Sequence, residues 1–415
     1  MSNIRPFPAV RPSAALASKI AALPYDVMSS AEARKMVEDN PYSFLHIDKA
    51  EIDLDSDIDV YSDAVYNKAK SNLDKMIANK SFIKEIEPCY YIYSLTRNGN
   101  VQNGLVASAS IDDYLDNTIK KHELTREEKE QDRIRHVDTT NAQTGPIFLT
   151  YKGNPDVKKI ISDWQNANDP IYNFVSDDDI VHTVWRIDDE STITKLTEIF
   201  HTIPSLYIAD GHHRAASAVK VGQMRRAQNP NYTGDEPFNG FLSVIFPSDE
   251  LHIMDYNRIV KDLNGLDKKE FLQKLEQSFD VEKFPEKDEF APEKIHEFGM
   301  YLDENWYKLI AKDSILQSDK PTDLLDVAIL QNNILSPILG INDPRTDDRI
   351  DFVGGIRGLK ELSNRVDDGN WAVAFSMFPT SMDELMNVSD NGMVMPPKST
   401  WFEPKLRSGL FVNLL

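Results

Sequence analysis

Residues 205–217 read SLYIADGHHRAAS. The first half is a short apolar run of the kind that forms a buried strand, and the second half is rich in alanine and runs on as HRAASAVKVGQMRRAQ, a helix. Between them lie Asp210, Gly211, His212, His213 and Arg214. A strand that turns straight into a helix leaves several backbone N–H groups unpaired and facing the turn. Such a turn suits an anion, because the helix dipole favours negative charge there and Gly211 lets the backbone come close to a ligand. Arg214 in the first turn can clamp phosphate oxygens with two prongs. His212 and His213 can donate hydrogen bonds or carry a proton near neutral pH. Asp210 can hold magnesium or accept a substrate proton. A plainer reading makes Asp210 a helix cap and Gly211 a turn residue, but it explains neither the paired histidines nor the arginine. Adjacent histidines on a helix point about 100° apart and have no i, i+4 partner, so a histidine metal site is disfavoured.

The chain around this stretch has 415 residues, long enough for two or three domains. Its 46 Lys plus Arg against 67 Asp plus Glu give a formal charge of −21, so the average surface repels phosphate backbones and anionic lipid. Nucleic acid is therefore an unfavoured partner, and no basic helix-turn-helix is evident. The single cysteine, Cys89, cannot form an internal disulfide and reads as a small buried hydrophobe. No apolar run approaches the roughly 18 residues of a membrane span, and the N-terminal stretch carries Lys19 within its most apolar part, unlike a signal peptide. A cytoplasmic location is the simplest expectation, and the oligomeric state is open.

The pattern is mixed α and β throughout. Ser29 and Glu32 form a capping box for a helix SAEARKMVEDN, YSFLHIDKAE (42–51) reads as a strand, and a helix is expected near 60–79. YYIYSLTRNGNVQNGLVASASI reads as a hairpin turning at Asn98-Gly99. GPIFLTY (145–151), FNGFLSVIF (238–246) and WAVAFSMF (371–378) read as strands, with helices over 191–203, 267–279, in DLLDVAILQNNIL and after Thr380-Ser381. A loose boundary near 245–265 separates residues 1–250 from an α+β region 251–415.

Two further groups stand out. A polar helix from about Leu124 to Val137 would place Thr125, Lys129, Asp132, Arg133 and His136 along one face, able to line a cleft. In the tail, Met395-Pro396-Pro397-Lys398-Ser399-Thr400 presents Lys398, Ser399 and Thr400 from a proline-stiffened loop, suited to an anionic oxygen group, with Lys405 and Ser408 as helpers. No glycine-rich run precedes Lys398, so it is not a P-loop.

The Asp-Gly-His-His-Arg turn after a short strand resembles the phosphate-binding turn of the ParB and sulfiredoxin superfamily. Within that superfamily it is similar to the turn of archaeal free-serine kinases, which carry threonine where this chain has His213. From IRPFPAVRP and LPYDV to MPPKSTWFEPKLRSGL the chain resembles domain-of-unknown-function family number 1015. The resemblance implies a ParB/sulfiredoxin-like nucleotide-binding core and a substrate cleft at His122, Glu123, Thr125, Lys129, Asp132 and Arg133, which match a His-Glu-x-Thr pattern with a downstream Lys and Asp-Arg. The sulfiredoxin reaction is excluded, since it needs a cysteine in the turn. Serine kinases use a glutamate upstream of the turn, for which Glu51 is the candidate and Asp26 its rival.

The expectation is phosphoryl transfer to or from a small hydroxyl compound; the resemblance implies a kinase of free L-serine foremost, with ATP or ADP as donor and Mg2+ as helper through Asp210. A phosphatase of O-phosphoserine, a non-enzymatic nucleotide-binding regulator and a sensor of a phosphorylated metabolite remain alternatives.

Overall fold

The computed structural model describes residues 1–285 and 289–415. Two compact units result, one of Met1–Leu251 with Pro404–Leu415, the other of His252–Glu403. The last twelve residues therefore pack in the first unit: Val412 pairs with Val10, and Ser408 with Ala22.

The first unit is built on a mixed nine-stranded sheet. Its order is Ile119–Lys120, Leu206–Asp210, Ile147–Tyr151, Gly240–Pro247, Asn100–Ser110, Tyr90–Arg97, Val181–Ile187 and Tyr172–Val175, with Ile4–Arg5 also paired on Asn100–Ser110. Leu206–Asp210 is parallel to Ile119–Lys120, and Gly240–Pro247 is parallel to Ile147–Tyr151. The hairpin turns at Asn98-Gly99, both with positive φ (50° and 81°), as a tight two-residue turn between right-twisted strands requires. Apolar faces of Tyr90, Ile92, Leu105, Leu149 and Ile245 pack in one core with Val157 and Ile161 of helix Pro155–Ala167 and Leu196 and Phe200 of helix Glu190–Phe200. Cys89 is buried, and burial raises its thiol to about 11, as expected of an inert small hydrophobe.

Two sequence expectations need correction. Residues 42–51 are not a strand. Leu45–Asp48 form one helical turn, followed by a 3-10 turn at Ala50–Asp53. With no strand paired to it among the described residues, the segment satisfies its own backbone, Asp48 N–H donating to Phe44 C=O at 3.0 Å and Lys49 N–H to Leu45 C=O at 2.9 Å. The polar helix spans Glu127–Thr140, starting later than expected, so Thr125 precedes it and drops out of the proposed stripe. Glu127, Glu128 and Glu130 suit its N-terminal dipole.

The second unit centres on a fully antiparallel six-stranded sheet in the order Phe279–Lys283, Asn305–Ala311, Glu297–Leu302, Val373–Met377, Tyr256–Val260, Ile350–Gly354. Helix Lys360–Asp367 covers it through Leu362 and Val366, and Met382–Asp390 starts from a Ser381 capping box. Among the described residues no helix is long and apolar enough to cross a membrane.

Phe241 lies fully buried on the strand between Asn100–Ser110 and Ile147–Tyr151. Phe241→Ala is expected to destabilise the first unit by about 3–5 kcal/mol, read as a drop in the urea midpoint. A change under about 1 kcal/mol would contradict this packing.

Candidate functional site

Strand Leu206–Asp210 ends irregularly: Ile208 opposes Leu149, yet Asp210 opposes Phe148, so one extra residue bulges out of the ladder. A bulge re-aims the side chain beside it, here Asp210. Gly211 follows with φ +95° and is the N-cap of the seventeen-residue helix His212–Gln228. No side chain caps that helix, so its first N–H groups stay unclaimed by capping. Asp210 is thus not the cap of the plainer reading.

Gly211 is favoured for a second reason. A Cβ there would meet the Arg214 guanidinium, 3.0 Å from Nε and 3.1 Å from Cζ. The guanidinium is folded back over the turn with its side chain 9% exposed. Its Nη1 donates to the Pro146 carbonyl and Nη2 lies 3.8 Å from Asp210 Oδ2, while Nε is buried with no hydrogen-bond partner among the described residues. Burial opposes the charge on Arg214, but Asp26, Asp210, the Tyr25 hydroxyl and Asp48 outweigh it and hold the arginine charged.

Asp210 is gripped from the tail by Lys405, Nζ to Oδ2 at 3.2 Å. Burial works against its ionisation, and Lys405 and Arg214 overcome this, so its carboxyl is held well below the usual range. A third of its side chain remains accessible, 32%.

A pocket opens beside the turn, and Arg214 lines it together with Tyr25, Asp48, Arg133, His136 and Thr144. Asp48 is 4% exposed; its Oδ1 accepts from Thr144 Oγ1 at 2.7 Å, and its Oδ2 has no partner among the described residues. Arg133 is held by Asp132, Nε and Nη2 each 2.9 Å from Oδ2, and stacks on Tyr25 with Cζ 4.0 Å from the ring centre. Tyr66 OH donates to Asp132 Oδ1, and His136 Nε2 contacts the Ile47 carbonyl at 3.1 Å. The buried polar face of helix Glu127–Thr140 thus consists of paired groups, which is how it packs without an apolar stripe. On its other contacts, Ile134 and Val137 meet Val221 of helix His212–Gln228.

The remaining expected residues are distributed as follows. His122 is buried against His212, ring centres 4.5 Å apart and edge to face. The His122 backbone N–H donates to His212 Nε2 at 3.4 Å, which leaves the proton on Nδ1, 3.7 Å from Glu123 Oε2. Burial first, then the neighbouring His122, push the His212 imidazolium far down, so the ring is neutral. It can donate from Nδ1 but is no reservoir for a proton at neutral pH. His213 is half-buried with Nδ1 unpartnered among the described residues, and burial lowers its pKa as well. Glu51, expected as a hydroxyl-orienting carboxylate, is committed elsewhere: Oε1 accepts from Ser30 Oγ at 2.7 Å and pairs with Lys49 at 3.2 Å. Asp26 is exposed and has no hydrogen bond or ion pair among the described residues, while its charge reaches Arg214 and His213. Thr125 donates to Glu130 and Lys129 to Tyr61 OH, so neither joins the pocket lining. Lys398, Ser399 and Thr400 belong to the second unit, where the Lys398 side chain is exposed with Nζ 5.6 Å from the Tyr256 ring centre, and Ser399 Oγ donates to Pro396 C=O. Among the described residues no cluster of three or more His, Cys, Asp or Glu is placed to hold a metal.

Sequence reasoning missed Asp48. The signal was present, since a helical reading of YSFLHIDKAE puts Asp48 four residues after Phe44, on the buried side.

Residues 4–328 match the family described as Protein of unknown function (DUF1015). The chain belongs to this family. A comparison with curated proteins found no match. Among solved structures the DUF1015 chain is similar to a free serine kinase in complex with AMP, at 14% identity and a TM-score of 0.37, covering 74% of this chain and 91% of that one. It is also similar to a conserved hypothetical protein from Pyrococcus furiosus, at 15% identity and a TM-score of 0.36, covering 75% and 95%. A third is SbnI with a C-terminal truncation from Staphylococcus aureus, at 10% identity and a TM-score of 0.36, covering 74% and 87%.

Burial depresses His122 from 6.5 to about 4. In the unfolded chain the same ring protonates near 6.5, so stability is full above that pH and falls as the pH drops from about 6.5 toward 4. His122→Gln should make this decline shallower in pH-dependent denaturation; an unchanged slope would show that His122 is not buried neutral.

Proposed function

We propose that this turn binds the phosphate of a nucleotide or phosphorylated metabolite, and that the protein is a phosphotransferase acting on a small hydroxyl compound. The observation that carries the reading is Arg214: a buried, charged guanidinium with Nε unpartnered, folded over an uncapped helix N-terminus. Donors fixed in advance at a dry site stabilise charge developing on a transferring phosphoryl group without reorganising.

The geometry supports the following roles. Arg214 and the N–H groups after Gly211 take phosphate oxygens. Lys405 and Asp210 position Arg214 from the other side. Asp48, buried with Oδ2 unclaimed and sharing the pocket with Arg214, is the carboxylate that orients or deprotonates the acceptor hydroxyl, in place of Glu51. ATP or ADP is the donor in this reading. L-serine is the acceptor we favour, on the resemblance of the Asp-Gly-His turn and its arginine to free-serine kinases. A magnesium ion accompanying the nucleotide would neutralise phosphate charge. Asp26, which is unpaired, is better suited to hold it than Asp210, whose Oδ2 is engaged by Lys405.

The test is incubation of the full chain with MgCl2, L-serine and ATP or ADP, and separately with O-phosphoserine alone, following phosphoserine, serine and phosphate. Phosphoserine should form with nucleotide. Arg214→Ala should weaken phosphate-ligand binding by ~2–5 kcal/mol. Asp48→Asn should lower kcat by ~10²–10⁴-fold with nucleotide affinity kept. Turnover no greater than that of Arg214→Ala defeats the assignment, and phosphate release from O-phosphoserine without nucleotide makes the protein a phosphatase instead.

A further inference from the structure

The second unit contains a cleft of about 280 Å3 of its own. Arg258, on the strand Tyr256–Val260 next to the edge strand Ile350–Gly354, lines it and is 3% exposed. Its Nη2 donates to the Lys398 carbonyl at 2.9 Å and its Nη1 to the Tyr256 carbonyl. Phe352 lies against it, 5.5 Å from Cζ to the ring centre.

What sets Arg258 apart is its lack of a counter-charge. The comparably buried arginines of the first unit each face a carboxylate: Arg133 faces Asp132, Arg214 faces Asp210, and Arg407 faces Asp178. Among the described residues Arg258 has none, and burial lowers its guanidinium to about 10 with only Tyr256 acting against this. Taking such a cation out of water without a counter-charge is unfavourable, and two carbonyls serve only two of its five N–H donors. Among the described residues the one carboxylate lining the cleft, Asp343, is met by Arg345, at 2.9 Å from Nε and 2.8 Å from Nη2. The rest of the wall is largely apolar, from Val327, Leu335, Pro344, Phe352, Pro396 and Pro397. Lys398 adopts a left-handed φ of 59°, which a non-glycine residue keeps only when its surroundings impose it. In that loop its carbonyl accepts from Arg258.

We propose that this cleft binds a small organic anion, an oxyanion head paired with Arg258 and a flat apolar body held between Phe352 and the prolines. The head is a carboxylate or a phosphate. The site is distinct from the Arg214 turn, and its occupancy does not depend on phosphoryl transfer.

Isothermal titration of the full chain with benzoate and with phenyl phosphate tests it, with phenol as the neutral control. At least one anion should bind where phenol does not, and which one binds identifies the head. Affinity should be kept in Arg214→Ala and fall about tenfold or more in Arg258→Met. Asn342→Glu, which adds a carboxylate at an exposed position of the lining, should weaken binding similarly and leaves the core untouched if Arg258→Met does not fold. The proposal is overturned if neither anion binds better than phenol, or if binding is lost in Arg214→Ala and kept in the Arg258 or Asn342 variants.

Discussion

The Arg214 guanidinium lying over Gly211 is the contact on which the first unit's site depends. It favours a residue without Cβ, since a Cβ would crowd Nε at 3.0 Å, and it uses a positive φ that glycine adopts at little cost. A buried arginine also needs negative charge around it. Asp210 is turned toward it by the bulge at the strand end, and Asp26 and Asp48 contribute from the front of the chain. Lys405 then offsets the excess of carboxylate at Asp210. The tail that carries it is anchored by the pairings of Ser408 with Ala22 and Val412 with Val10. The last residues of the sequence thus complete a site begun near its first thirty.

The same principle explains a helix that composition alone makes puzzling. Glu127–Thr140 buries Asp132, Arg133 and His136 because each has a partner: Tyr66 and Arg133 for Asp132, Tyr25 for the guanidinium face, the Ile47 carbonyl for His136. A paired polar interior specifies one packing arrangement more narrowly than an apolar stripe would. The formal charge of the chain is −21, so an anionic ligand is drawn to the places, such as Arg214, where the fold presents positive charge.

The strand–turn–helix was legible because the period of the apolar residues changes within three positions, and the hairpin because Asn98-Gly99 accepts positive φ at both residues. The segment 42–51 was not. Phe44, Leu45 and Ile47 are apolar without alternation, a pattern shared by a buried strand and a buried helical turn, and only the absence of a neighbouring strand decides between them. That misreading hid Asp48 and favoured Glu51, whose carboxylate is tied to Ser30 and Lys49. Thr125 was drawn into the cleft stripe because helix starts are read from caps, and Arg126 provides no side-chain cap. Arg258 gave no local signal at all, since an unpaired charge is a property of the folded surroundings.

The most direct measurement is an NMR titration of the full chain with inorganic phosphate and AMP, following the Arg214 Nε–H signal together with the His212 and His213 amides. A buried donor that gains an oxyanion partner moves downfield. The expected result is a saturable downfield shift of Nε–H, with both amides moving at the same midpoint. Saturable binding that leaves these three signals unmoved would contradict the assignment of the turn as the phosphate cradle.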